Sequence, residues 1–76
     1  MSAGHDTLDP LDVLETELRA LDHVVLVGFE QVEGDLVALV ALDADGDVEA
    51  VRPEAVRIAA HTGAHVRIEV HGGRRP

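Results

Sequence analysis

Three histidines and a run of alternating aspartates are the residues whose types and spacing could support chemistry. His23, His61 and His65 are imidazoles able to share a Zn²⁺, Ni²⁺ or Cu²⁺ ion with one coordination position left open, if the fold brings them together. Asp43, Asp45 and Asp47 set carboxylates at alternate positions, with Glu49 and Glu54 following, and Ca²⁺ takes several convergent oxygens of this kind. Glycine placement breaks the calcium reading. An EF-hand loop needs glycine at its sixth position, where this chain has Val48, and Gly46 stands at the fourth. An Asp-Gly turn into a short strand explains the same residues. The histidines have a plain alternative too: His61 at a helix C-terminus, where a cationic ring suits the dipole, and His23 and His65 on the surface. They stand only as metal candidates, and no metal or cofactor is assigned.

The remaining inventory points away from catalysis. The chain has no Cys, Lys, Tyr, Trp or Asn, its serine is Ser2, and its threonines are Thr7, Thr16 and Thr62. None sits in a nucleophile motif such as G-x-S-x-G, and no glycine-rich phosphate loop is present. Without cysteine, disulfides and thiolate metal sites are excluded. The 15 acidic residues against 6 arginines give a net charge of −9, which repels a nucleic-acid backbone. Two accounts of the lysine gap stay open: codon bias in a high-GC genome, or adaptation to a salty cytoplasm whose ions screen dense carboxylates. Both imply a cytoplasmic prokaryotic protein. The start, MSAGHDT, lacks the basic and apolar parts of a signal peptide, and no apolar run approaches the ~18 residues of a membrane span.

Positioning any of these residues falls to one small domain. Residues 1–7 are small and polar and read as a disordered lead-in, residues 8–71 as the domain, and residues 72–76 as a flexible, weakly basic tail. Asp9 as N-cap, Pro10 at the first helical position and Leu11, Leu14, Leu18 and Leu21 on one stripe predict a helix over 10–21. Leu8 is set to staple onto Val13, and Glu15 to pair with Arg19. Residues 23–32 and 36–42 read as two strands joined by Glu33-Gly34-Asp35, with Gly28 marking a bulge or a close backbone approach. Residues 48–51 read as a third strand. Residues 53–62 read either as a helix from Pro53 to the stop at Gly63 or as a strand, and the capping signals favour the helix. Val66, Ile68 and Val70 alternate with His65, Arg67, Glu69 and His71 in a last strand near a sheet edge.

The expected fold class is therefore α+β: α-β-β-β-α-β, with helices on one face of a mixed three- to four-stranded sheet. A right-handed crossover makes strands three and four parallel, and a spatial order of 4-1-2-3 brings His23 and His65 to one end of the sheet. The order shares elements with RNA-binding domains, but the chain has no GXXG clamp and no basic helix start.

The two central runs, VVLVGF and LVALVAL, do not alternate cleanly, so both faces of the hairpin are apolar. A chain of 76 residues has little material to cover both. The expectation is a homodimer or higher oligomer with Val25, Val27, Phe29, Val37 and Leu39 at the interface. The expected function is a small non-enzymatic oligomeric module that binds a protein partner or small ligand, with no nucleic acid and no membrane. The alternative is an acidic inhibitor or antitoxin-type protein masking a basic partner.

Overall fold

The structure, a computed structural model, describes residues 9–73. The order is α1 (Pro10–Arg19), β1 (Val24–Val32), β2 (Asp35–Leu42), α2 (Val48–Thr62) and β3 (Arg67–Gly72). The fold is α+β, with both helices on one face of a mixed three-stranded sheet. The element order is thus α-β-β-α-β.

α1 forms as its first residues dictate. The Asp9 carboxylate accepts from the Leu11 amide at 2.9 Å, and Pro10 begins the helix where no amide partner is needed. Leu14 and Leu18 are fully buried, Leu11 and Leu21 pack beside them, and Arg19 pairs with Glu15 at 2.8 Å. The staple from Leu8 and the lead-in lie outside the described residues. Gly72 ends β3 rather than opening a tail; beyond Gly73 that segment is also outside them.

β1 and β2 pair antiparallel through a two-residue turn at Glu33 and Gly34, with φ of 52° and 88°. Positive φ at both central residues matches the right-handed twist of the flanking strands. The bulge is not at Gly28, which pairs with Leu39 and has open space where a Cβ would be. It lies three residues earlier in the strand: Val24 pairs with Leu42 and Leu26 with Ala41, leaving Val25 unpartnered.

Three further expectations are corrected. Residues 48–51 are the first turn of α2, not a strand, because Asp47 caps them by accepting from the Glu49 amide at 3.0 Å. A side-chain cap at that point outweighs the β-branched Val48 and Val51. Pro53 therefore sits inside the helix, where it removes one backbone bond, and does not start it. The last strand lies beside β2, parallel to it, giving the order β1-β2-β3 and making β3 an edge.

The register sorts the side chains. Val27, Phe29, Ala38, Val40, Leu42, Ile68 and Val70 share the face that meets the helices, where Val27, Val40, Leu42 and Val70 join Leu14, Leu18, Ala55 and Ala59 in the core. Leu26, Gly28, Glu30, Val32, Asp35, Val37, Leu39, Ala41, Arg67, Glu69 and His71 fall on the other face. We expect Pro53→Ala to raise stability by about 1 kcal/mol or more, since it restores an amide in a helix interior. Urea unfolding followed by far-UV circular dichroism checks this; a helix starting at residue 53 would leave the midpoint unchanged or lower.

Candidate functional site

Two surfaces gather the residues singled out above. The first is the sheet face that no helix among the described residues covers. Down its middle runs β2, with Val37 buried and Leu39 and Ala41 half-buried. Val37 is flanked across the strands by Glu30 and Arg67, whose aliphatic stems are placed to cover it. At the bulge, Val25 and Leu26 are both turned away from the core, 64% and 61% exposed. Charge stands on the flanking strands and at the first residue of β2, Asp35. Arg67 reaches the Asp35 carboxylate at 3.3 Å, and His71 Nε2 lies 3.2 Å from Glu69 Oε1.

The five expected interface residues do not share this face. Val27 is in the core and Phe29 packs against it, Val37 and Leu39 lie on the uncovered side, and Val25 is the bulge residue. Leu26 and Ala41 belong to the uncovered face as well. Leu26 alternates with Val27 and Phe29 as in an unbroken strand, and what the sequence does not tell is which of the two sets the helices cover; the bulge reassigns Val25.

The second surface is a cleft of about 320 Å³ where the end of α1 meets the start of α2. Leu21, Ala50 and Val51 give it apolar walls, and Asp22, Asp45, Asp47 and Glu54 bring carboxylates to it. His23 lines it too, at a left-handed φ of 72° that a non-glycine residue rarely adopts. Its Nδ1 is 3.1 Å from Asp43 Oδ1, and its carbonyl accepts from the Asp43 amide at 2.9 Å. The same Asp43 carboxylate accepts from the Asp45 amide, so one side chain ties the loop to the strand start. A cavity of this kind suits a small body with an apolar part and a positive group.

The histidine trio does not assemble. His23 stands at the Leu42 end of the sheet, whereas His65 precedes β3 at the Asp35 end, because β3 runs parallel to β2 and not beside β1. His61 lies in the last turn of α2, where basic charge suits the dipole. Among the described residues no group of three His, Cys, Asp or Glu side chains could hold a metal ion. No helix among them is long and apolar enough to cross a membrane. The cleft was not foreseen from sequence. Reading Asp47 as a helix cap, followed by Glu49 in the first turn, is the signal that would have placed these carboxylates at a helix N-terminus.

No protein-family model matches this chain, and no curated protein matches it by sequence.

Gly46 anchors the cleft loop. A Cβ there would lie 2.8 Å from the Leu42 Cβ and 3.1 Å from the His23 Cβ, neither of which is a flexible chain end. Gly46→Ala should therefore destabilise the protein by about 1–3 kcal/mol. Thermal unfolding measures it, and an unchanged midpoint would show that the loop does not depend on this close approach.

Proposed function

We propose that this chain is a small, acidic, non-enzymatic cytoplasmic module that acts as a homodimer or higher oligomer, in which a second copy covers the open sheet face. As an oligomer it binds a protein partner or a small ligand. The observation that carries the reading is the pair Val25 and Leu26, each more than 60% exposed, beside half-buried Leu39 and Ala41. A contiguous apolar surface left bare on one side of a sheet marks an interaction site. A second copy fits because the face holds a small part of the molecule's net charge. It carries Glu30, Asp35 and Glu69 against Arg67, whereas the whole chain stands at −9. The cleft beside His23 is the place for a small ligand, and its carboxylates favour a cationic one.

A second reading, in which the acidic surface masks a basic partner, is favoured by the four carboxylates lining that cleft. Salt separates the two. Masking of a basic partner weakens as salt rises, while apolar self-pairing of like-charged copies does not.

Leu26→Asp places a charge in the apolar patch and should convert the oligomer to the 8.1 kDa monomer with little loss of fold, since Leu26 is outside the core. Sedimentation equilibrium over about 10 µM to 1 mM is the measurement, a range suited to a weak interface. A wild-type mass that stays monomeric throughout, in low and molar salt, removes the oligomer reading. The acidic composition makes a separate demand. If it is an adaptation to a salty cytoplasm, the unfolding midpoint should climb continuously into molar KCl, as the screening length falls from ~8 Å at 0.15 M to ~3 Å at 1 M. A midpoint flat above ~0.15 M KCl leaves codon bias as the account.

A further inference from the structure

We propose that the chain supplies its own cation to the cleft: Arg74 and Arg75, which follow Gly73 in sequence, dock against Asp22 and Asp45 and must be displaced before an outside ligand enters. This rests on the reading of the cleft as a cation site and adds an internal competitor to it.

The backbone brings this stretch to the cleft. β3 ends at Gly72, and Gly72 and Gly73 hold φ of 87° and 81°, two left-handed residues in succession that turn the chain out of the strand. A Cβ on Gly73 would stand 2.7 Å from the Gly46 carbonyl oxygen, so the chain leaves the sheet against the loop before α2. Gly46 is the residue between Asp45 and Asp47, both of which line the cleft. The next Cα along a chain is about 3.8 Å on. Arg74 therefore begins one residue from a loop that carries two of the cleft's carboxylates.

The charge balance leaves the same place in need of a partner. With no lysine in the chain, its permanently charged cationic side chains are six arginines. Four of them stand among the described residues, and each already has a carboxylate. Arg19 has Glu15 at 2.8 Å, Arg52 has Glu49 at 3.9 Å, Arg57 has Glu54 at 3.4 Å and Arg67 has Asp35 at 3.3 Å. Of the cleft's acids, Glu54 is thus served by Arg57, and Asp47 is engaged as the cap of α2. His23 gives its Nδ1 to Asp43. Asp22 and Asp45 make no ion pair among the described residues. The other two arginines of the sequence are Arg74 and Arg75.

The walls suit the same side chain. An arginine has an apolar stem and a charged head, and the cleft sets Leu21, Ala50 and Val51 beside its carboxylates. Each exposed ion pair is weak, and salt screens it. What favours the chain's own arginines is their tether, since a short linker holds a group at an effective concentration on the order of millimolar. An outside cation then meets a competitor that lowers its apparent affinity without closing the site.

The test is NMR of the full chain, with cleft binding read by titration of argininamide. At low salt, nuclear Overhauser contacts should join the side-chain methylenes of Arg74 or Arg75 to the methyls of Ala50 and Val51, and molar KCl should abolish them. The double variant Arg74→Ser/Arg75→Ser alters no residue of a helix or strand. It should bind argininamide, followed at the Asp45 and Val51 amides, about threefold or more tighter than wild type. Arg67→Ser removes a charge at the other end of the sheet and should change that affinity little. The same tightening per charge removed in both variants would mean bulk charge alone and overturn the proposal. If the methyl contacts are absent and argininamide binds wild type and double variant equally, the internal competitor is overturned and the cation cleft stands. Contacts that fade on dilution at constant salt put the arginines of a second copy there, which also overturns it. If argininamide shifts no cleft amide in either chain, the cation reading falls and the competitor with it.

Discussion

Everything in this molecule follows from one shortage: β2 is apolar on both sides, and both helices go to the same side. Val40 and Leu42 join the helix-side core, and Val37, also buried, points the other way. The shortage is topological as well as one of size. β3 is parallel to β2, so the chain must return along the sheet between them, and α2 fills that return. α1 packs on β1 and α2 from the same layer, through the leucine stripe. Among the described residues no element remains for the opposite face, where Val37 is buried between Glu30 and Arg67 while Leu39 and Ala41 are only half-buried.

The end of the sheet near Leu42 shows a different economy, built from missing side chains. Gly72, at φ 87°, has the Leu42 carbonyl oxygen 2.7 Å from where a Cβ would be, and Gly73 stands equally near the Gly46 oxygen. Gly46 itself sits against Leu42 and His23. Three glycines thus let β3, the loop before α2 and the entry to β1 converge, and the cleft opens where they meet. His23 holds a left-handed backbone conformation there because its carbonyl and its ring both engage Asp43. The acids around the cleft are placed by backbone geometry first: Asp47 serves as a cap and Asp43 as a loop tie.

Much of the fold was legible in the residues. Asp9-Pro10 and the leucine stripe carried α1, and the apolar runs around Glu33-Gly34 carried the hairpin, because cap, turn and periodicity agree at those points. The misreading at 48–51 came from competing local signals. Val48 and Val51 favour a strand and Pro53 favours a helix start, but the Asp47 side chain had already satisfied the helix N-terminus five residues earlier. Strand order was not legible, since it depends on which side of the hairpin the returning strand finds free. That error alone separated His23 from His65. The uncovered face was legible as a surplus of apolar residues but not residue by residue, because the sequence does not tell which alternating set the helices cover, and the bulge reassigns Val25.

The charge distribution connects these points. Fifteen acids on a chain of this length would oppose any contact between copies if they were spread over every surface. On the open sheet face they are reduced to Glu30, Asp35 and Glu69, with Arg67 paired to Asp35 and His71 beside Glu69. The cleft at the far end of α1 has the reverse character, with four carboxylates and no arginine along its lining. One surface is therefore suited to an uncharged, self-like neighbour and the other to a cation, and added salt acts on them in opposite senses. Screening lowers the long-range repulsion between two copies at −9 while it loosens the hold of carboxylates on a cation. If copies pair and the cleft takes a cation as proposed, high ionic strength favours the pair over the cation and low ionic strength the reverse.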